Sequence, residues 1–397
     1  MSLTIHDRLD LLYRIGDGEG ANRPALSAAE EEAHRLIRGW MEQAGLETSV
    51  DAIGNLYGRL VGSNPSAAEI WCGSHLDSVP QGGKFDGALG VLAALHAASG
   101  LEPQARTITV VAFRDEEGWR FRGGFLGSRG VIGDLAAIDF AKTDRDGTTV
   151  AEALALLGYP SPPTPGWLST PPHCYVEVHI EQGPVLAAAC APLGVVTGIV
   201  GIAQATVVFE GCAGHAGTTP MTLRQDAALS AAAFQVAADS IARQINGAVV
   251  TFGMSTLVEP GAANVIPRRA TITLDARAPD QHRLDDLEAQ LEEAAQRVAS
   301  ERGCTATFNI DLTVAPVLCV PNLQSAFAAA APGAPLLPSG AGHDAQILGG
   351  AGVPVGMLFV RSLNGGISHS PTEATDPNDV DLCVIALADA LRTLASA

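Results

Sequence analysis

The rhythm of apolar segments changes once along this chain, near residue 202, and that change limits the folds open to it. Before it, strand-length apolar bursts alternate with helix-length segments. Residues 27–46 (SAAEEEAHRLIRGWMEQAGL) open with Ser27 and acidic residues, repeat apolar positions at helical spacing, and stop at Gly45. Leu56–Leu60, Ile70–Cys72 and Ile108–Phe113 read as strands, and GALGVLAALHAAS (87–99) as a small-residue helix packed on a sheet. Such alternation predicts an α/β domain with a mainly parallel sheet. After it, Ala205–Phe209, Arg224–Arg243, Val249–Ser255, Ala270–Ala276, Leu284–Arg302 and Thr305–Val314 read as β-α-β-β-α-β, the ferredoxin-like unit. Pro335–Pro338 reads as loop, and Val353–Val360 with Val380–Leu394 resumes strand and helix. The economical organisation is a discontinuous main domain, 1–201 and 315–397, interrupted by an inserted domain, 202–314; a length of 397 residues suits two domains.

Composition narrows the class further. The chain is 47% apolar and 17% charged, enough to bury a large core. Its 24 basic residues face 43 acidic ones, a net charge of −19, which disfavours nucleic acid and anionic membranes as partners. Residues 182–209 carry no charged side chain and are long enough to span a bilayer. Pro184, Pro192, Gly183, Gly194, Gly198 and Gly201 interrupt them, so buried strands joined by turns are the better reading. Seven cysteines without a CxxC pair read as buried free thiols, and the N-terminus shows neither a basic nor an apolar signal region; a cytoplasmic location is expected.

Ligand-type residues gather where the apolar bursts end. Ile70-Trp71-Cys72 runs into Gly73-Ser74-His75-Leu76-Asp77, Thr109–Phe113 into Arg114-Asp115-Glu116-Glu117, and Tyr175–Val178 into His179-Ile180-Glu181-Gln182. The carboxyl ends of strands are where open α/β sheets build their sites. His75, His179, Asp86, Glu117 and His369 form a thiolate-free donor set that suits Zn, Mn, Co or Ni. Four ligands would close one site; a fifth, with a carboxylate able to bridge, points to two metals about 3.5–4 Å apart. Asp77 is placed to hold the His75 imidazole by its other nitrogen. In the pair Glu116-Glu117 one carboxylate can ligate while the other stays free as a base. Each residue has a plainer reading: Asp86 as a helix cap, Glu116-Glu117 as a solvated pair, His369 as a hydrogen-bonded loop histidine. The joint pattern outweighs them.

The segments GSHLDSVPQGGKFDGALGVLAAL (73–95), FRDEEGWRF (113–121), HIEQGPVL (179–186), GHAGTTPM (214–221), PGAANVIP (260–267), SGAGHDA (339–345) and GGISHSPTEAT (365–375) run in the same order as in one family. The chain resembles the aminoacylase/carboxypeptidase-type di-metal hydrolases, specifically their amidase/hydantoinase/carbamoylase branch. That resemblance implies a di-metal catalytic domain, an inserted lid and dimerisation domain, and a homodimer formed through the latter. Two divalent ions would be bound, with Asp86 bridging, His75 and His179 completing one site, and Glu117 and His369 the other. It implies Glu116 as general base on a metal-bridged water and Asp77 as orienter of His75. His179 stands where peptidase relatives carry a carboxylate, which favours the carbamoylase-like branch. His215 and Asn264 resemble substrate-contacting residues, with His215 also stabilising the oxyanion, and Arg277 matches the arginine that grips a substrate carboxylate. Gln182 would face a ureido group, and His343 is either near the substrate or a shaping element. The implied reaction is hydrolysis of the carbamoyl C–N bond of N-carbamoyl-L-amino acids to amino acid, ammonia and carbon dioxide. Allantoate is the alternative substrate, followed by a β-ureido acid, a dipeptide or an acyl amino acid. Outside enzymes, the alternative is a catalytically dead ligand-binding homologue, against which the intact residue set argues. Trp119, the FRGGF segment and Asn364 depart from the branch near the expected pocket and bear on substrate identity.

Overall fold

The computed structural model describes residues 3–159, 171–253 and 257–396. The chain's first strands are β1 (Glu47–Val50), β2 (Leu56–Leu60), β3 (Ile70–His75), β4 (Ile108–Phe113), β5 (Cys174–Ile180) and β6 (Leu193–Ile199). Next come β7 (Gly201–Glu210), β8 (Gly214–His215), β9 (Val249–Thr251), β10 (Leu257–Glu259), β11 (Val265–Ile266), β12 (Arg269–Ala278) and β13 (Thr305–Val314). The last are β14 (Val317–Leu318), β15 (Leu336–Ser339) and β16 (Val355–Val360). Two compact units result: Met1–Gly198 with Leu318–Ala397, and Ile199–Val317.

The first unit holds a nine-stranded sheet in the order β1-β2-β4-β3-β5-β16-β6-β14, with β15 also on β6. Its four central strands, β4, β3, β5 and β16, are parallel to one another, while β2 and β6 extend the sheet antiparallel on either side. β3, β4, β5 and β16 are buried at every residue, which explains why they read as continuous apolar bursts rather than alternating patterns. The helix Ala88–Ser99 is buried along nearly its whole length, and its alanines and glycine let it lie close to the sheet. Ser27 caps the helix Ala28–Gln43 by accepting from the Glu30 amide, and Gly45 beyond its end takes φ +80°, as its glycine predicted.

The second unit is all antiparallel. β9 and β10 both lie along β12, β12 along β7, and β7 along β13, so the last, first, third and second strands of the β-α-β-β-α-β order are neighbours. β12 alternates half-buried and buried residues at every step, and its buried set packs on the helices Ala227–Gln244 and Gln281–Ser300. The expected strand Val249–Ser255 is seen to Thr251; residues 254–256 lie outside the described residues.

Two expectations need correction. Pro335–Pro338 is mostly not loop: β15 runs from Leu336 to Ser339 and, among the described residues, pairs with β6 alone. Proline is tolerated there because an edge strand needs to donate on one side only. The cysteines are all free, but Cys190 and Cys212 are exposed rather than buried. Among the described residues, no helix is long and apolar enough to cross a membrane, and the uncharged run 182–209 is spent on the short helix Val185–Ala188, β6, β7 and the turns between them.

Candidate metal centre

Because β4, β3 and β5 run in parallel side by side, their carboxyl ends deliver His75, the segment Asp115-Glu116-Glu117 and His179 to one edge of the sheet. Two glycines allow the approach. A Cβ on Gly87 would sit 2.5 Å from the His75 ring, and one on Gly366 would sit 2.3 Å from the Gly183 backbone. The second close contact lays the turn Gly365–His369 against the end of β5. Asp115, Gln182 and His369 take φ of +51°, +55° and +54°, a region non-glycine residues rarely enter, and all three flank this edge.

The carboxylate of Asp86 is shared by two groups of donors. Its Oδ1 lies 3.2 Å from His179 Nε2 and 3.6 Å from His75 Nε2, while its Oδ2 lies 3.3 Å from His369 Nε2. His369 Nε2 is also 3.3 Å from Glu117 Oε2. The sets His75, Asp86, His179 and Asp86, Glu117, His369 can therefore each surround one ion. The imidazoles are oriented for it. His179 Nδ1 is 3.0 Å from the Ile180 carbonyl and His75 Nδ1 is 3.2 Å from the Asp77 carbonyl, so in both rings the proton sits on Nδ1 and the lone pair on Nε2 faces Asp86. Asp86 is not a helix cap: the helix Ala88–Ser99 begins without a side-chain cap bond.

The Glu pair divides between two environments. Glu117 joins the second set, whereas Glu116 belongs to neither and places Oε2 3.8 Å from His75 Nε2. Asp77 fixes both: its two oxygens accept from the Glu116 and Glu117 amides at 3.1 and 3.2 Å, and Oδ1 is 3.4 Å from His75 Nδ1. Burial, then the neighbouring Glu117, Asp344 and Asp77, push the Glu116 carboxyl well above the usual range. Burial and Asp86 raise Glu117 likewise, and the hydrogen bond to Asp86 lifts His369 to about 9. Glu117 Oε1 is sealed from solvent with no hydrogen-bond partner among the described residues. A cluster of crowded carboxylates, an orphaned oxygen and three converging imidazole nitrogens is what a divalent cation satisfies. The donors fit the group.

Other expected residues are placed differently. Gln182 is at the centre, but its Nε2 donates to Asp86 Oδ2 at 2.9 Å and to Ser368 Oγ at 3.1 Å. His343 is buried, its Nε2 lies 2.8 Å from Ser339 Oγ, and its ring packs 4.6 Å from that of His179. His215 and Asn264 lie in the second unit and meet there: β8 pairs with β11, and the Ala216 amide donates to the Asn264 carbonyl. His215 is exposed, and its Nδ1 accepts from the Gly217 and Thr218 amides at 3.0 and 3.3 Å, which places its proton on Nε2. Arg277 is on β12, where its Nε donates to Asp275 Oδ1 at 2.7 Å.

Sequence reasoning passed over Glu373, Ser368 and Glu177. Glu373 accepts from the Phe85 and Asp86 amides, Ser368 bridges Glu373 and Asp86, and Glu177 accepts from Ser74 and stands with His179 and His343 in a third buried group. Ser368 and Glu373 lie inside the segment 365–375, but nothing in their spacing shows a partner almost three hundred residues away.

The profile of the peptidase family M20/M25/M40 matches residues 71–393. An N-carbamoyl-L-amino-acid amidohydrolase of Pseudomonas sp. (strain NS671) is 38% identical over 394 residues, 95% of this chain and 94% of the relative. The allantoate amidohydrolase of Escherichia coli (strain K12) is 36% identical over 388 residues, 95% of this chain and 92% of its own. The crystal structure of an amidase of the hydantoinase/carbamoylase family from Burkholderia multivorans superposes with a TM-score of 0.90 at 33% identity, over 99% of this chain and 97% of that one.

Proposed function

The chain belongs to the peptidase family M20/M25/M40, and on that premise we propose that it cleaves the carbamoyl C–N bond of N-carbamoyl-L-amino acids, releasing amino acid, ammonia and carbon dioxide. It is a metal-binding amidohydrolase acting on carbon–nitrogen bonds other than peptide bonds. The observation that carries the mechanistic reading is the division of the donors: two sets share Asp86, and Glu116 stands outside both. We read the sets as two ions, of Zn, Mn, Co or Ni, with His75 and His179 on one side of Asp86 and Glu117 and His369 on the other. Bound there, divalent cations lower the pKa of water and polarise the carbonyl under attack.

The rest is done by this chain's side chains. Glu116 takes a proton from the attacking water and returns it to the leaving nitrogen, the role open to a carboxylate that stands outside both donor sets. Asp77 keeps Glu116 and Glu117 at their stations and fixes the His75 tautomer. His215 serves as the oxyanion donor in this reading, since Nδ1 is already an acceptor and Nε2 carries the proton. Asn264 and Arg277 hold the α-carboxylate, for which a guanidinium fork is well shaped. These substrate roles rest on the family resemblance.

Allantoate is the second reading, favoured by the relative that carries that name and by the same ureido-plus-carboxylate chemistry. A homodimer through the second unit fits the exposed apolar residues of the helix Ala227–Gln244, where Leu229 is 47% and Val236 71% exposed. The test is ammonia release by protein reconstituted separately with Mn, Co and Zn, on carbamoyl-L-amino acids, carbamoyl-β-alanine and allantoate. Turnover of carbamoyl-L-amino acids that a chelator abolishes supports the proposal. Turnover of allantoate alone replaces the substrate and keeps the mechanism, and silence across the panel removes both.

A further inference from the structure

We propose that Glu373 is a positioning residue that locks the loop bearing Asp86 to the loop bearing His369, and so fixes the plane of the shared Asp86 carboxylate. The inference rests on the metal reading above. Glu373 is 6% exposed, and its carboxyl group occupies the place of the missing side chain of Gly83, where a Cβ would lie 2.0 Å from it. Its Oε1 accepts from the Phe85 amide at 2.7 Å and the Asp86 amide at 3.2 Å. Its Oε2 meets Ser368 Oγ at 2.8 Å, and that hydroxyl in turn lies 2.9 Å from Asp86 Oδ2.

Asp86 is thus gripped at both ends: its main-chain N–H by Glu373 directly, and its carboxylate by Ser368, which Glu373 holds. Gln182 closes the ring by donating to both Asp86 Oδ2 and Ser368 Oγ. Ser368 precedes His369, so the same contacts set where His369 enters. A carboxylate whose two oxygens serve different donor sets has little angular freedom to spare. Such outer partners typically change metal affinity about 10–100-fold when removed. Glu373 lies in neither donor set that shares Asp86, so its effect runs through Asp86 and Ser368.

The experiment compares wild type, E373A, E373Q and S368A as full chains. Each is stripped of metal and titrated with zinc against a chromogenic chelator, with cobalt absorption recorded as a report on ligand geometry and thermal unfolding as a control on folding. E373A is expected to lose about 10–100-fold in zinc affinity and to shift the cobalt bands. E373Q is expected to recover most of both, because its amide oxygen still accepts from the two backbone amides and its NH₂ donates to Ser368. Wild-type affinity and an unchanged cobalt spectrum in E373A overturn the inference, and so do equal losses in E373A and E373Q. If E373A does not fold, S368A decides, since it keeps the bonds from Glu373 to the Phe85 and Asp86 amides and cuts the hydroxyl's links to Glu373, Gln182 and the Asp86 carboxylate; unchanged affinity there overturns the proposal. A wild-type protein that takes up no cation overturns the metal reading itself, a failure distinct from the others because it needs no variant.

Discussion

The two sheets treat charge in opposite ways. In the first unit the central strands are buried at every residue, and ligand-type side chains crowd at their carboxyl ends, where His75 and His179 are buried and Glu116 and Glu117 largely so. In the second unit β12 alternates strictly, and its charged residues pair at the surface, as Arg269 does with Glu210 at 3.0 Å. Raised carboxyl groups and histidines crowd the first unit, while in the second Asp239 and Asp280 are lowered by partners on their own helix or at its cap and Glu288 is raised by burial. A parallel sheet covered on both faces makes a place where charge is concentrated at a cost in stability; a one-sided antiparallel sheet spreads it harmlessly.

Removing metal should separate the two units most sharply. A chelator is expected to abolish activity and to destabilise the first unit alone, since an ion at a thousand times its dissociation constant contributes about 4 kcal/mol. Hydrogen exchange then rises at the ends of β3 and β5 and stays unchanged along β7 and β12. Equal rises in both would mean that the charge cluster is not where the ion acts.

Next in size, Glu116→Gln keeps the shape of the cluster while removing the base. A fall in kcat of about 10²–10⁴-fold is expected, with zinc affinity near that of wild type. Turnover close to wild type would remove Glu116 from its role. A matching loss of affinity would place it among the ligands, contrary to its position outside both sets.

The two units also differ in how they could be read. Ferredoxin-like order was legible because alternation, helix length and turn residues all lie within about a hundred residues, and β12 displays its period of two in plain sequence. The ligand edge was legible in kind, since His, Asp and Glu follow apolar bursts, although their pairing into two sets needed the family resemblance. What stayed hidden acts through the backbone. Glu373 holds amides of Phe85 and Asp86, and an amide has no sequence signature. Pro335–Pro338 reads as loop in sequence because proline is a good turn signal, and it is the sheet that shows β15 as an edge strand on β6.

A core substitution in the second unit sharpens the contrast from the other side. Phe234 is fully buried between Phe209 and Phe252, with ring centroids at 5.8 and 5.9 Å. Phe234→Ala should destabilise that unit by about 3–5 kcal/mol, read by denaturant unfolding, and leave the zinc affinity of the first unit unchanged. A parallel loss of affinity would show the units to be energetically one.

The smallest predicted effect tests the one residue that does not fit the division. Arg277 sits at a half-buried position of β12, on the face away from the helices, with Asp275 two residues before it on the same face and Gln204 donating to that aspartate at 3.2 Å. As a surface pair with Asp275 it would be worth at most about 1 kcal/mol, and its loss would go unnoticed by the enzyme. As the grip on a substrate carboxylate it would be worth about 1.5–3 kcal/mol, roughly a 10–150-fold rise in KM. Arg277→Ala should therefore leave the unfolding midpoint almost in place and raise KM for carbamoyl amino acids, while sparing an alkylurea that has the scissile group but no carboxylate. If the alkylurea suffers equally, the arginine shapes the unit rather than the substrate. If neither changes, it is the plain surface pair, and the second unit then carries no charge with a task of its own.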